Sequence, residues 1–401
     1  MKKILPYVLL LGVAIVGILS STGLPAQELV VSQELIFPLQ KEHVHGSSIV
    51  ELPNGDLLTV WFQGSGERTA NDVRLQGARL KKNETAWSPP FDMADTPGIP
   101  DCNPVLFLNR KGKLFLVWIA VLADRWERSV LRVRTSTDYD NEGPPKWDWQ
   151  DNILFKPTDD FAKEVEAKIE GVVMPLTLTE EQFAKEKQRV LEMSKDLPER
   201  SLGWMTRIPP ITLASGRMLL PLYSDGFNFS LIAISDDDGE TWRPSLPIVG
   251  LGIQPALAVR NTGENKGDIT AFMRNATGMP ERIWISVSKD QGETWSGAVR
   301  SDLKSTASVG LLALRDGRWI YIAGDTEHGR YRLSLYVSGD EGETWKLGHI
   351  LEFDSAEVNR YSYPCMIQGK DGLLQITYSY HLEKERLKSI KHVCIDPAKL
   401  P

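Results

Sequence analysis

Short apolar runs separated by glycine corners set the rhythm of this chain. Ser48-Ile49-Val50-Glu51-Leu52 leads into Pro53-Asn54-Gly55, and Asp56-Leu57-Leu58-Thr59-Val60-Trp61-Phe62 leads back. An Asn-Gly tip between two such runs predicts a β-hairpin. The arrangement recurs at Lys111-Gly112-Lys113-Leu114, Ser215-Gly216-Arg217-Met218, Asp316-Gly317-Arg318-Trp319 and Lys370-Asp371-Gly372-Leu373. A longer Gly/Asn loop takes the same place between Val259 and Ile269, so six corners predict six repeats. Leu29-Val30-Val31 near the start and Ile390-Lys391-His392-Val393-Cys394 near the end are candidates to pair and close the set.

Residues 159–200 break the rhythm. They carry no strand pattern and are rich in Glu and Lys. Within them Thr179-Glu180-Glu181-Gln182 has the form of a capping box, and Leu178 and Phe183 are placed to staple it. A helix over about 180–194 follows. We read 159–200 as a helical insertion between the second and third repeats, either a surface excursion or a flap over a central site.

One octapeptide also recurs. Ser235-Asp236-Asp237-Asp238-Gly239-Glu240-Thr241-Trp242 returns at Ser288–Trp295 and at Ser338–Trp345, placing Asp237, Asp290 and Asp340 about 50 residues apart. An apolar strand precedes each copy. The Asp carboxylate can accept from N–H groups of its own turn, the Gly can take φ > 0, and the Trp can bury its ring between sheets. These boxes are therefore read as hairpin builders that carry no chemistry. A worn copy starts at Ser136-Thr137-Asp138, with Trp147 or Trp149 after it, and a fifth lies within Ala78–Trp87. Short strands with a period near 50 predict an all-β fold, a six-bladed β-propeller with one four-stranded sheet per repeat.

Length and charge narrow the function. The chain has 401 residues, 42% of them hydrophobic, and a net charge of −7. It can bury a large core, and it is too acidic for a nucleic-acid binder that works by neutralising phosphates. Met1-Lys2-Lys3, an apolar run from Ile4 to Leu19 and the small residues up to Ala26 read as a secretory signal, residues 1–26. That predicts an exported chain, periplasmic or secreted, with 27–401 as the propeller. No later segment approaches the roughly 20 apolar residues of a membrane span, so no stable span is expected after signal removal. Cys102, Cys365 and Cys394 fit no metal-site spacing, and no disulfide is predicted.

The repeated Ser-x-Asp-x-Gly-x-Thr-Trp is similar to the Asp box of the sialidase (neuraminidase) superfamily, and the resemblance covers most of the mature chain. It implies a site at the propeller axis. There an arginine triad holds the substrate carboxylate, a Tyr polarised by a Glu is the nucleophile, and an Asp is the acid/base. Arg360-Tyr361-Ser362-Tyr363-Pro364, followed by Gly369-Lys370-Asp371-Gly372, resembles the nucleophile segment and gives that role to Tyr361. Ala271-Phe272-Met273-Arg274-Asn275 resembles the second triad position, Arg274. Gly329-Arg330-Tyr331-Arg332-Leu333 resembles the third, with Arg330 preferred and Arg332 in reserve. A planar guanidinium suits this work because it pairs bidentately with a carboxylate. In the segment Gly66–Arg74 the acid/base position falls to Asp72, with Glu67 as the close alternative.

Two positions depart from that pattern. Where the family opens with Arg-Ile-Pro, this chain reads His43-Val44-His45-Gly46-Ser47-Ser48, and His45 stands nearest the missing arginine. A His can donate one hydrogen bond or act as acid/base near neutral pH, but it cannot copy the clamp. Gln254-Pro255 stands where the polarising Glu belongs, and an amide cannot take the phenol's proton. Asn103 in Asp101-Cys102-Asn103-Pro104 and Arg207 in Thr206-Arg207-Ile208-Pro209 sit where blades two and three begin. His45, Asn103, Arg207, Gln254 and Tyr361 are thus expected to share one pocket, with Arg207 replacing the lost arginine.

The resemblance implies an exo-acting, retaining glycoside hydrolase that releases a terminal, acidic sugar from a glycan. A polysaccharide lyase on uronate-containing glycans, using His45, Tyr361 and Arg274, and a non-catalytic glycan-binding propeller are the alternatives. The six histidines are scattered, no metal constellation or cofactor motif is present in the sequence, and a monomer is expected.

Overall fold

A glycine at positive φ turns each of the six corners, +92° at Gly55 and +96° at Gly216 for instance, and pairs the strands on either side antiparallel. A side chain there would be strained, which is why glycine recurs at this spacing. The structure is a computed structural model and describes residues 28–277 and 279–401. The expected signal segment lies outside the described residues.

Six sheets follow in chain order. Blade one is His43–Glu51, Leu57–Gly64, Arg74–Leu80 and Phe91–Ala94. Blade two is Asp101–Leu108, Leu114–Val121, Ser129–Ser136 and Trp149–Ile153. Blade three is Met205–Thr206 with Ile211–Thr212, then Met218–Ser224, Phe229–Ser235 and Arg243–Pro244. Blade four is Gly252–Val259, Ile269–Asn275, Arg282–Ser288 and Val299–Lys304; blade five is Gly310–Ala313, Trp319–Ala323, Arg332–Ser338 and Lys346–Phe353. Blade six is Arg360–Gln368, Leu374–Leu382 and Leu387–Ile395, completed by Val30–Leu35, the first described strand. Glu34 pairs with His392 in that closing ladder. The second strand of blade two, Leu114–Val121, is apolar on both sides and buried throughout, because its sheet is packed between two others. The core lies between blades, and the architecture is the six-bladed propeller.

Antiparallel order fixes which loops share a face. The glycine corners join first to second strands, and the Asp boxes join third to fourth, so both lie on one face. Hairpins between second and third strands lie on the other, together with the start of each innermost strand.

The three boxes are internally closed. Asp237 accepts from Thr241 N at 2.9 Å and from Thr241 Oγ1 at 2.6 Å, Ser235 Oγ accepts from Gly239 N, and Trp242 Nε1 donates to Gly239 O. Asp290 and Asp340 repeat the set. In the worn copy Asp138 instead pairs with Lys146, and Asp148 receives the hydrogen bonds of Thr137. Of its two tryptophans, Trp147 packs on the core and Trp149 is exposed. Cys102, Cys365 and Cys394 are buried free thiols.

The insertion falls between blades two and three and holds three helices, not one: α1 (Asp159–Lys168), α2 (Glu180–Lys195) and α3 (Leu197–Ser201). The Thr179/Gln182 capping box starts α2. Thr158 caps α1, whose Phe161 packs edge-on against Trp204 and Phe227 at 6.0 and 5.5 Å. Arg200 ties the helices together, donating to Pro157 O, Ser194 O, Lys195 O and Asp159. Arg189 anchors α2 to blade three through Gly226 O at 2.7 Å. Among the described residues no helix is long and apolar enough to cross a membrane.

Candidate active site

Four innermost strands share one irregularity. Their pairing slips between His45 and Ser48, Cys102 and Val105, Ile253 and Ala256, and Ser362 and Cys365. Inside each slip sits a residue at positive φ: Gly46 (+64°), Asn103 (+50°), Gln254 (+56°) and Tyr363 (+60°). Such a bulge re-aims a side chain and leaves the ladder intact on both sides. Holding a non-glycine residue there costs about 1–3 kcal/mol, which is tolerated mainly where the position does something. Asn103, Gln254 and Tyr363 each precede a proline, and all three face the axis.

They meet in a cavity of about 430 Å³, with walls completed by His45, Glu67, Trp126, Tyr223, Asp225, Arg274 and Arg330. His45, Glu67, Asn103, Gln254, Arg274 and Arg330 are therefore brought together. Arg207 is not in the wall. It lies beneath, 1% exposed, donating to Ser47 O at 3.2 Å and Tyr363 O at 2.5 Å, with its guanidinium 4.8 Å from the Tyr363 ring centre. It supports the tyrosine and cannot serve as the replacement clamp.

Tyr361 is not in the cavity either. It packs in the core between blades five and six, 5.2 Å from the Tyr380 ring, and burial raises its pKa. In a regular strand residues 361 and 363 would point the same way. The bulge turns Tyr363 to the axis and leaves Tyr361 in the core. Asp72 is also outside, exposed and receiving hydrogen bonds from Ser65 N and Oγ. Arg332 is held by Asp325, away from the cavity, so Arg330 is the arginine of that segment that faces the site.

Tyr363 is the centre of the arrangement. Its hydroxyl accepts from Arg274 Nη1 at 3.2 Å and Gln254 Nε2 at 3.4 Å, and Arg330 stands 5.4 Å from its ring centre. Burial alone would raise its pKa, but Arg274, Arg330 and Arg207 outweigh burial and bring it below 10. The neighbouring Tyr223 goes the other way: burial, Asp225 and Tyr363 push it well up, so it stays a phenol, accepting from Asn103 Nδ2 at 3.0 Å. His45 lies with its ring centre 4.0 Å from that of Tyr363, and its Nδ1 shares a hydrogen bond with Ser379 Oγ at 2.7 Å. Burial, helped by nearby His381, Arg330, His43 and Arg207, holds it neutral.

Two carboxylates face this group with opposite tendencies. Burial would raise Glu67, but a hydrogen bond and charge from His43, 2.9 Å away, together with Arg330 and Arg68, bring it down. Asp225, on the hairpin between the second and third strands of blade three, is pushed up by burial against the pull of Arg274. Gln254 Oε1 and Arg274 Nε are buried without partners, so the wall offers an unused acceptor and an unused donor. Tyr363, Tyr223 and Asp225 were not singled out from the sequence. The recurring residue-before-proline, Asn103-Pro104, Gln254-Pro255 and Tyr363-Pro364, was the signal that would have found Tyr363. Among the described residues no group of His, Cys, Asp or Glu is arranged to hold a metal.

The family model of the BNR repeat-like domain matches residues 55–153 and 182–376. Among solved structures, a protein of unknown function from Dyadobacter fermentans is 18% identical, with 92% of this chain and 98% of that one covered and a TM-score of 0.65. The NanB sialidase of Streptococcus pneumoniae is 13% identical, with 94% and 72% covered and a TM-score of 0.63. The intramolecular trans-sialidase of Ruminococcus gnavus is 14% identical, with 89% and 95% covered and a TM-score of 0.60. No curated protein matches the chain in sequence. At these identities the likeness concerns the fold.

Proposed function

The chain belongs to the BNR repeat-like domain family, with a sialidase-like propeller, and on that premise we propose that it is an exo-acting glycoside hydrolase that releases a terminal acidic sugar with retention of configuration through Tyr363. The observation that carries the reading is a buried tyrosine hydroxyl hydrogen-bonded to Arg274, with Arg330 over its ring and Arg207 beneath. A phenolate stabilised by fixed guanidiniums is a nucleophile that needs no adjacent carboxylate to take its proton. Tyr363 attacks the anomeric carbon as its phenolate while the glycosidic C–O bond breaks, the leaving oxygen takes a proton from Asp225, and the tyrosine leaves as phenolate again in the second step. Water then attacks the glycosyl-tyrosine, gives its proton to Asp225, and releases the sugar and the tyrosine. Asp225 suits the acid because burial keeps it protonated to higher pH than an exposed Asp. Glu67, kept ionised, suits a hydrogen-bond acceptor for sugar hydroxyls.

The wall also speaks to the substrate. Arg274 is committed partly to Tyr363, leaving Arg330 for one carboxylate, while neutral His45, Asn103 and the free Gln254 Oε1 offer hydrogen bonds to hydroxyls. That balance favours a uronate-like sugar over sialic acid. The test is a turnover screen of aryl glycosides of sialic, uronic and neutral sugars, with proton NMR of the first-formed anomer. Release of an acidic sugar with retention, lost in Tyr363→Phe, is expected; inversion, or turnover undiminished in that variant, overturns it.

Gln254 also favours a second reading, because a tyrosine poised as base with no proton-accepting partner fits β-elimination on a uronate. Products absorbing in the ultraviolet without hydrolysis would establish a lyase instead.

A further inference from the structure

A second cavity lies between the insertion and blades three and four. It measures about 580 Å³, and its wall is mostly apolar: Leu178, Phe183 and Val190 on one side, Phe227, Phe229 and Leu251 on the other. Protein interiors leave few voids larger than a water, whereas ligand pockets run to about 300–1,000 Å³. Here the helix is held across the gap and does not collapse into it. Arg189 fixes α2 to Gly226 O, and Phe161 of α1 packs on Phe227.

The cavity adjoins the active site. Asn228 lines both spaces, and Thr277 of the apolar one follows Ala276 of the polar one. A molecule with its sugar at Tyr363 therefore has an apolar space beside the hairpin that carries Asp225, the residue assigned to protonate the leaving oxygen. The chain's own first described residues are poor candidates to fill it, because Val30–Leu35 is bound into blade six, across the ring from blade three.

We propose that this cavity is a subsite for an apolar leaving group, an aliphatic chain or aromatic ring joined to the sugar. The assignment to a leaving group rests on the hydrolase reading; binding of an apolar group does not. Each methylene taken out of water strengthens binding about fourfold, so chain length is a sensitive probe.

The test uses the mature protein, Leu178→Trp to fill the cavity, Phe183→Glu to place a carboxylate in its wall, and Tyr363→Phe. Both wall residues are only half-buried on the insertion, and thermal melts verify folding. Titration with the neutral fluorophore N-phenyl-1-naphthylamine is expected to show saturable binding in the wild type and in Tyr363→Phe, weakened at least tenfold in both wall variants. Absence of saturable binding, or equal binding in all four proteins, overturns the proposal. For the sugar that is turned over, hexyl and benzyl glycosides are expected to exceed the methyl glycoside at least tenfold in kcat/KM. Leu178→Trp should remove that advantage, and which of the two gains more separates an aliphatic from an aromatic occupant. An unchanged ratio in the variant refutes the leaving-group role. Intact fluorophore binding with no turnover of any glycoside refutes the hydrolase reading and the leaving-group role together, but not the apolar site.

Discussion

The two faces of this propeller use repetition in opposite ways. On one, three Asp boxes repeat the same residues and the same hydrogen bonds, and Asp237, Asp290 and Asp340 each find their partners within their own turn. On the other, four innermost strands repeat the same backbone slip but fill it with Gly46, Asn103, Gln254 and Tyr363. There, buried polar atoms of Gln254 and Arg274 are left without partners. Identical residues on a repeated backbone build the scaffold. Different residues on a repeated backbone build a site.

That contrast can be broken by substitutions that exchange the expected effects. Tyr363→Phe should lower kcat/KM on the order of 10³-fold or more while leaving the melting temperature nearly unchanged. Tyr361→Phe should leave activity within a few fold, and a reverse ranking in steady-state kinetics would falsify the assignment of the nucleophile. Asp225→Asn should lower kcat by about 10²–10⁴-fold. In the wild type the active form needs Tyr363 ionised, which Arg274, Arg330 and Arg207 favour, and Asp225 protonated, which burial favours, so the rate should rise with pH, pass through a maximum and fall. The falling limb should vanish in Asp225→Asn; a profile that keeps it assigns the acid elsewhere.

On the scaffold face, Asp290→Ala removes acceptors for Ser288 Oγ, Thr294 N and Thr294 Oγ1. It should destabilise the fold by about 1–3 kcal/mol, since the turn is partly solvated, and leave kcat unchanged. Calorimetry read beside kinetics decides; a loss of activity in the still-folded variant would give the boxes a chemical role. The smallest effect is a pH dependence. Hydrogen bonds from Thr344 and Ser338 lower Asp340 from 3.8 to about 2. Because the folded state favours the charged form, its contribution is complete above 3.8 and fades as pH drops toward about 2. Denaturant titrations over that window should show a shallower loss in Asp340→Asn.

Much of the scaffold was legible because its signals are local. A glycine that must take positive φ, a capping box and a Ser-x-Asp-x-Gly-x-Thr-Trp turn are read without knowing what packs against them. The insertion's α1 was missed for the converse reason, since Phe161 and Val165 are its only buried core-facing pair and acquire meaning only against Trp204 and Phe227. At the site, Arg274, Arg330, Gln254, Asn103, His45 and Glu67 line the cavity. Tyr361 and Arg207 do not, because a one-residue slip or two carbonyl partners decide where a side chain ends up. Asp225 reads in sequence as an ordinary Asp-Gly turn, and only burial sets it apart.

The closing ladder of Val30–Leu35 against Leu387–Ile395 brings the first and last described strands together on the rim, with Val30 opposite Ile395. The ring can therefore be joined between these two strands with a short linker and cut at a glycine corner, yielding a circular permutant with the same circumference. The reverse operation is less forgiving. Deleting Val30–Leu35 unclasps the circle, and every inner strand that aims a side chain at the axis depends on the circle staying shut.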